Sequence, residues 1–287
     1  GHTVTYNDLP VTVDLTSGAV TTVELHPAGT GYVVRYPGVA DLASLSSTYV
    51  ATAVMRGVGI DPTGATDSTT AIRAKIAAAA ALGVKRIHFP DGTYLIDAAG
   101  ADDGFGYGLQ VTEDGTEITL DPGAVLQVIP NAASGYQLIR VLANDCRIAG
   151  GTLRGDVQTH TGAAGEWGHL IAVSGNRCEV SGVTVREAWG DGIAVMNGAE
   201  DVHLANVIAD SNRRQGVSLI GAIRPRITGG VFRNTGQIAF HSPGAGIDIE
   251  PNPLSGYDVS DFLIRGAVCT GNKGAGLANA FTGQQAG

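Results

Sequence analysis

The sequence predicts an all-β fold, a right-handed parallel β-helix with an N-terminal capping helix and a small N-terminal β segment. Three observations predict it. Short β-branched segments recur at intervals of about 20–40 residues, glycines stand beside them at turn positions, and one stretch alone has clear helical periodicity. Such recurrence is typical of a solenoid, in which each unit buries its apolar face by stacking on its neighbours.

Composition excludes several classes of function. The chain has 287 residues, enough for one large domain or two modest ones. No apolar run reaches about 18 residues, so the sequence predicts no membrane-spanning helix. The net charge is −9 with 18 Lys and Arg, which argues against nucleic-acid binding because that requires clustered cations. No positively charged and then apolar segment opens the chain, so no signal peptide is visible.

Residues 1–56 are predicted to form a small β segment separate from the main domain, residues 57–287. Three stretches alternate between apolar and polar residues as strands do: residues 11–15, 20–25 and 32–36. A short helix-prone stretch follows at residues 40–49. Two interpretations stay open for this segment, an attachment or trimerisation element and an extra sheet packed on the main domain.

The one predicted helix covers residues 67–82. Asp67 or Ser68 can accept the first free N–H groups of the helix, and Gly83 stands just past its end. Its narrow apolar stripe comprises Ile72, Ile76, Ala79, Ala80 and Leu82. Small side chains allow such a helix to lie close to a flat β surface, so we expect it to cover one end of the β stack.

Two inward-facing ladders are predicted from the repeat. The first comprises Ile87, Ile118, Ile148, Val180, Leu204, Ile227 and Ile264, and the second Ile171, Ile193, Val217, Ile247 and Leu277. Two residues before the first ladder, Cys146 and Cys178 fall on the same inward face, so we expect inert stacked thiols. Neither these nor Cys269 have the spacing of a zinc site or of a disulfide scaffold. Seven coils about 4.8 Å apart predict a stack of roughly 30 Å.

Two motifs carry a family resemblance. GIDPTGATDSTTAI at residues 59–72 and IHFPDGTYLI at residues 87–96 resemble the opening of the pectate-lyase-like superfamily, common in phage tailspike depolymerases and in relatives of family 28 glycoside hydrolases. The resemblance covers about residues 57–280 and implies the same parallel β-helix. It implies a polysaccharide ligand, a location on a virion tail or outside the cell, and side-by-side homotrimers. It leaves the reaction open, because this fold hosts lyases, hydrolases, epimerases and binding proteins.

The end of the chain carries a separate expectation. Leu277 begins a new coil, yet the sequence stops at Gly287 without a recognisable capping element. Because solenoids need polar caps, we expect either a fragment or an end that a partner chain closes.

Three acidic residues are predicted to meet when the coils stack. Aligning Leu170, Gly192, Gly216, Gly246 and Gly276 sets the register. Asp248 and Glu250 then face outward on one strand, and Asp191 lies two coils away. Glycoside hydrolysis needs two carboxyl groups, about 5–5.5 Å apart for retention and about 6.5–9.5 Å for inversion. We predict that Asp191 and Glu250 are the acid and base of an inverting hydrolysis, with Asp248 tuning them or sharing a role.

Other interpretations stay open for these acids. Asp191 alone could satisfy turn amides, as Asp often does before Gly. The pair Asp248 and Glu250 could belong to a solvated strand face.

Aromatic and cationic residues surround these acids in the predicted stack. Trp167 and Trp189 occupy one coil position, and Arg213 follows there on the next coil. Exposed aromatic faces stack on sugars, and Arg213 or Arg214 could bind hydroxyls or an acidic sugar. Further binding candidates are Glu166, His169, Glu187 and His241. The tryptophans could instead be buried against the coil, and each histidine could be a structural residue.

These residues and the resemblance lead to three hypotheses about function. The main hypothesis is an enzyme that cleaves a microbial surface or capsular polysaccharide by paired carboxylates, with no cofactor and no metal. The second is a non-catalytic adhesin that binds glycan in the same groove. The third is a uronic-acid lyase, for which the resemblance implies Ca²⁺ held by Asp191, Asp248 and Glu250. Such a lyase also needs a base of high pKa, for which Arg213 or Arg214 is a candidate. The chain lacks the Asn-Thr-Asp, Gly-His-Gly and Arg-Ile-Lys motifs of polygalacturonases, so that family's catalytic assignment does not carry over.

Overall fold

The computed structural model describes residues 52–100, 105–251 and 256–279, together with four strands nearer the N-terminus. These strands are β1 (His2–Tyr6), β2 (Leu9–Leu15), β3 (His26–Ala28) and β4 (Gly31–Tyr36), in one sheet of order β1-β2-β4-β3. The predicted strand at 11–15 lies within β2, and that at 32–36 lies within β4. The predicted strand at 20–25 and helix at 40–49 lie outside the described residues.

The remaining strands form three parallel sheets, here numbered I to III. Sheet I contains β5 (Thr52–Val54), β7 (Arg86–Phe89), β10 (Glu117–Leu120), β13 (Arg147–Ala149), β16 (Glu179–Ser181), β19 (His203–Ala205), β22 (Arg226–Thr228) and β25 (Leu263–Arg265). Sheet II contains β6 (Thr63–Asp67), β8 (Gly92–Ile96), β11 (Ala124–Val128), β14 (Thr152–Arg154), β17 (Thr184–Arg186), β20 (Ile208–Asp210), β23 (Val231–Arg233) and β26 (Val268–Thr270). Sheet III contains β9 (Gly106–Val111), β12 (Gly135–Val141), β15 (Trp167–Val173), β18 (Asp191–Glu200), β21 (Gln215–Ile223), β24 (Ala245–Ile249) and β27 (Leu277–Asn279).

Each turn of the chain adds one strand to each sheet. Strand β7 is followed by β8 and β9, and β10 then begins the next coil beside β7, a pattern that continues to β27. Every strand pair in the three sheets is parallel and joins strands of successive coils. Parallel crossovers are almost always right-handed, because a right-twisted strand packs back onto its sheet that way. The predicted right-handed parallel β-helix is thus confirmed.

The helix α1 (Thr69–Ala81) packs on the first coil, as predicted. Asp67 provides the cap at its start, since the Oδ1 of Asp67 accepts from the Thr69 N–H at 2.8 Å. The Ser68 hydroxyl instead accepts from the backbone N–H of Asp61 at 2.9 Å. Gly83 follows the helix in the left-handed region, at φ +70°. No helix among the described residues is long and apolar enough to cross a membrane.

The two predicted ladders are confirmed. In sheet I each predicted residue is the register partner of the next, from Ile87 to Ile264. The same holds in sheet III from Ile171 to Leu277. A third ladder, which the sequence did not reveal, runs through sheet II: Tyr94, Leu126, Leu153, Val185, Ala209 and Phe232. Up to the last coil these rows fill the interior, whereas Ile264 is partly buried and Leu277 is 52% exposed. Cys146 and Cys178 are buried free thiols, as expected.

The strands of sheet III depart from regular alternation near their start. Asp191 and Ile193 both have register partners on β21, but Gly192 between them has none. A Cβ on Gly192 would lie 2.7 Å from the Nδ2 of buried Asn212, so Gly192 faces the interior. Ile193 faces the interior as well, and two consecutive inward residues therefore leave Asp191 on the outer face.

The same irregularity repeats along sheet III. In earlier coils Leu138 and Leu170 occupy the position of Gly192, and both are buried beside the buried Ile139 and Ile171. Strict alternation would have turned Asp191 into the apolar interior, where an unpaired carboxylate is costly. The irregularity therefore decides where the candidate site forms.

Candidate active site

Four carboxylates gather on the outer face of sheet III. We call them the acid cluster: Glu166, Asp191, Asp248 and Glu250. Glu166 immediately precedes β15 and Glu250 immediately follows β24, while Asp191 begins β18 and Asp248 lies within β24. Parallel stacking of these strands brings together residues up to 84 positions apart in the sequence. The predicted convergence of Asp191, Asp248 and Glu250 is therefore seen in the structure.

Arg214 lies at the centre of the acid cluster. Its Nε donates to Glu166 at 3.0 Å, its Nη1 to Asp191 at 3.2 Å and its Nη2 to Glu250 at 2.7 Å. Burial lowers the pKa of Arg214, but the charges of Asp191 and Glu250 outweigh burial and raise the pKa above its ordinary value. Arg214 therefore stays protonated in this network, and this geometry does not favour it as the lyase base considered from the sequence.

Gln215 and Ser218 complete the network. The Nε2 of Gln215 donates to the Oδ2 of Asp248 and, at 3.5 Å, to the Oε2 of Glu250. The Oε1 of Gln215 accepts from Arg214 at 2.6 Å, and the Ser218 hydroxyl lies 2.8 Å from the Oδ2 of Asp191. The sequence analysis missed both residues as site members. The available signal was the register, in which Gln215 pairs beside Asp191 and Ser218 beside Asp248.

The environment raises the pKa of two acids of the cluster. Burial, followed by the charge of Glu250, raises the pKa of Asp248 to about 6. Burial also raises the pKa of Asp191 to about 6, against the opposing effect of Arg214. The Oδ1 of Asp248 is buried and has no hydrogen-bond partner among the described residues. Because a buried carboxylate oxygen without a partner is costly, this geometry favours the protonated form of Asp248.

The two predicted histidines have different surroundings. His169 is buried, with its Nδ1 3.4 Å from the Oδ2 of Asp191. Burial, and then the charge of Arg214, lower the pKa of His169 to about 3, so this ring is neutral. His241 is partly exposed, with its Nδ1 3.5 Å from Glu166. The buried His169 ring thus contacts Asp191, and the His241 ring lies at the partly exposed edge of the acid cluster.

Trp189 and Arg213 are packed against each other rather than offered to a ligand. The Arg213 guanidinium carbon lies 3.7 Å from the centroid of the Trp189 ring, and the His160 ring stacks on Trp189 at 3.8 Å. The Nη1 of Arg213 also donates to the backbone carbonyls of Gly165 and Trp189, at 2.8 and 2.9 Å. The structure therefore contradicts a free stacking face on Trp189, because both faces of the ring are covered.

Trp167 remains accessible, as predicted. It is 43% exposed and meets Phe105 edge-on, with ring centroids 5.9 Å apart. Phe105 is also exposed, and the sequence analysis did not identify it. Glu187, in contrast, lies outside the cluster and pairs with Arg154 at 2.7 Å. The pair Phe105 and Trp167 therefore gives an accessible aromatic surface beside Glu166.

The acid cluster does not fit the Ca²⁺ ion that the resemblance implies for a lyase. A calcium site needs several carboxylate and carbonyl oxygens free to face one ion. Here the Arg214 guanidinium lies between Asp191 and Glu250 and already supplies the compensating positive charge. We therefore derive no step through a metal ion.

Comparison with known proteins gives one curated relative by sequence. The protein named YclG of Bacillus subtilis (strain 168), described as uncharacterized, is 29% identical over 213 residues. The match covers 67% of this chain and 36% of the relative, so the chain spans about a third of that protein's length. No protein-family model matches the chain.

Solved structures give a likeness of fold. The tailspike protein gp49 of Acinetobacter baumannii bacteriophage Fri1, a capsular polysaccharide depolymerase, has a TM-score of 0.63 at 12% identity, covering 91% of this chain and 47% of that one. PfbA, a surface adhesin of Streptococcus pneumoniae, has a TM-score of 0.56 at 17% identity, covering 75% and 57%. These likenesses of fold agree with the right-handed parallel β-helix that the opening motifs implied.

Proposed function

We propose that this chain is a carbohydrate-active enzyme that hydrolyses a microbial surface or capsular polysaccharide, in the manner of a phage tailspike depolymerase. One observation carries the proposal. Asp248 has a buried, unpartnered Oδ1, while Glu250 two residues away is paired with Arg214 at 2.7 Å. Two neighbouring carboxyl groups in such different environments are what general acid–base catalysis of glycoside cleavage needs.

The surroundings suggest a role for each acid. Asp248 would donate a proton to the leaving oxygen, and Glu250, which is partly exposed, would act from the other side of the bond. Asp191 is fully buried, and its oxygens are bound by Arg214 and Ser218, so it would position Arg214. The proposal thus moves the acid from Asp191, which the sequence favoured, to Asp248, because both oxygens of Asp191 are already hydrogen-bonded within the protein and the Oδ1 of Asp248 is not.

The spacing of Asp248 and Glu250 favours retention of configuration. Both carboxyl groups contact the same atom, the Nε2 of Gln215, with the longer contact at 3.5 Å. That geometry is closer to the separation of about 5–5.5 Å in retaining enzymes than to the wider spacing of inverting ones. We therefore expect NMR of the first product to show a retained anomeric configuration, in place of the inversion expected from the sequence.

The test is a screen of the purified chain against defined capsular polysaccharides, with release of reducing ends as the readout. Asp248→Asn and Glu250→Gln should each lower turnover by about 10²–10⁴-fold. The matched control is Glu179→Gln, a change of the same kind on sheet I, which should leave turnover unchanged. Turnover of the wild type should fall as the pH rises above about 6, where Asp248 loses its proton. Undiminished turnover in Asp248→Asn would refute the proposed acid.

A second candidate function is a glycan-binding adhesin without catalysis. Asp191 and Asp248 are buried, and Arg214 and Gln215 bind the acids of the cluster, an arrangement that is also stable without a reaction. The fold likeness to PfbA, a surface adhesin, points the same way. Glycan binding in the same screen with no product at any pH would favour it.

The proposal also includes a location and an assembly. As the resemblance to tailspike proteins implies, the chain would act on a virion tail or outside the cell, as a side-by-side homotrimer. Light scattering of the purified chain measures the assembly directly, and a monomeric mass would refute the trimer.

A further inference from the structure

We infer that the acid cluster accepts a glycan whose bound sugars are uncharged or carry an amine, and that it excludes polyuronates. The inference rests on the proposed function and names the substrate class of the same site. The sequence analysis expected Arg213 and Arg214 to bind an acidic sugar. In the structure, both guanidinium groups are already hydrogen-bonded to other groups of the protein.

Arg214 has no bidentate face left for a substrate carboxylate. All three of its nitrogens are engaged, with Glu166, Asp191, Gln215 and Glu250 as acceptors. Its side chain is 8% exposed. Recognition of a carboxylate by arginine depends on two parallel N–H donors facing the ligand, and here those donors face the protein's own acids.

Arg213 is committed in a different way. The flat face of its guanidinium covers Trp189 at 3.7 Å, and its Nη1 donates to two backbone carbonyls. Burial lowers the pKa of Arg213. Arg213 is 7% exposed, so a substrate carboxylate has little access to it.

Apart from the His241 ring at the edge of the acid cluster, the charged groups of the cluster that face solvent are acidic. Glu166 and Glu250 have side chains 28% and 30% exposed. Beneath them, the buried Oδ1 of Asp248 has no partner among the described residues and points to a ligand group that can hydrogen-bond. A sugar hydroxyl can donate to or accept from this oxygen, and an ammonium group can donate to Glu166 or Glu250.

The acid cluster would instead repel a sugar that carries a carboxylate, such as a uronate. Its carboxylate would approach Glu166 and Glu250, which are partly exposed and already share the Arg214 guanidinium with Asp191. Like charges brought together at a partly desolvated site reject the wrong ligand, which is a common source of specificity. The net charge of −9 adds a longer-range repulsion that salt screens.

The test compares two polymers that differ only in charge, together with a third that carries amines. The probes are polygalacturonate, the same polymer after chemical reduction of its carboxyl groups, and partially deacetylated chitin as the amine-bearing case. Affinity electrophoresis of the full chain measures retention by each polymer at low and at high salt. We expect at least tenfold stronger retention by the reduced or amine-bearing polymer than by polygalacturonate, with a smaller difference at high salt.

Two variants test whether the difference in retention between the polymers arises at the acid cluster. Glu166→Gln removes one exposed charge and should narrow the difference between polymers several-fold. Glu179→Gln removes a comparable charge on sheet I and should leave the difference unchanged.

Equal or stronger retention by polygalacturonate, or retention by none of the three polymers, would overturn the inference. Retention is measured without bond cleavage. A chain that cleaves no polymer but still binds the uncharged or amine-bearing polymers more tightly than polygalacturonate would therefore contradict the proposed function and support the inference.

Discussion

Arg214 donates to Asp191 at 3.2 Å, and neither side chain is more than 8% exposed. A buried ion pair of this kind contributes little relative to a well-packed apolar pair, because both charges lose their hydration. Removing one partner is far more costly, since it leaves the other charge buried and uncompensated. In this chain the same guanidinium also compensates Glu166 and Glu250, so its loss would leave three carboxylates unpaired.

We therefore predict that Arg214→Met lowers the free energy of unfolding by about 3–5 kcal/mol, measured by urea denaturation at pH 7. The matched control is Arg224→Met, since Arg224 pairs with Asp201 and Glu200 at an exposed position. That change should have little effect, because exposed ion pairs contribute little. Similar losses in the two variants would contradict the central role of Arg214.

The inward orientation of Gly192 gives a second prediction. A Cβ there would lie 2.6 Å from the carbonyl oxygen of Gly216 and 2.7 Å from Asn212. Gly192→Val should therefore lower the free energy of unfolding by about 3 kcal/mol, because the interior cannot accept the added volume. Met196→Val, on the same strand but partly exposed, should change it by no more than about 0.5 kcal/mol. Equal melting temperatures for the two variants would show that Gly192 does not face the interior.

The raised pKa of Asp248 predicts an unusual dependence of stability on pH. Burial raises this pKa from 3.8 to about 6, with Glu250 adding to the rise and Arg214 opposing it. Between about pH 4 and 6 the folded chain therefore binds more protons at Asp248 than the unfolded chain does. Stability from this group increases as the pH falls through that range.

The measurement compares the wild type with Asp248→Asn by thermal unfolding from pH 7 to pH 4. We expect the wild type to gain stability relative to the variant as the pH falls. Glu179 serves as the contrast, because hydrogen bonds from Ser181 and Arg147 lower its pKa. The stability that Glu179 contributes is lost as the pH falls, so Glu179→Gln should show the opposite sign. The same sign in both variants would contradict the assignment of Asp248.

The fold could be predicted from the sequence because its interior ladders follow a simple rule. Each coil repeats one apolar position, so Ile118, Ile148 and Val180 could be aligned by spacing alone, and the structure pairs them directly. The ladder of sheet II was not predicted because its side chains differ widely in size, from Tyr94 to Ala209. Variation in side-chain volume hides a repeat whose backbone geometry is constant.

The candidate site could be predicted less completely. The register brought Asp191, Asp248 and Glu250 to one face, but whether Asp191 faces outward depends on the irregularity at Gly192. Strict alternation does not contain that information. Spacing also could not show that Arg214 and Gln215 bind the acids rather than the substrate, because this depends on which donors remain free after packing.

The two tryptophans provide the last prediction, because they share a coil position and differ in exposure. Trp189 is 7% exposed and lies between Arg213 and His160, so Trp189→Ala should lower the free energy of unfolding by about 3–5 kcal/mol. Trp167 is 43% exposed and meets Phe105 edge-on, so Trp167→Ala should cost about 1 kcal/mol. For retention by glycan the order should reverse, since only Trp167 has a face free to stack on a sugar. Urea denaturation and affinity electrophoresis on the same two variants measure both effects. If Trp167→Ala kept full glycan retention, the pair Phe105 and Trp167 would not be the binding surface, and the glycan would have to contact the acid cluster from another side.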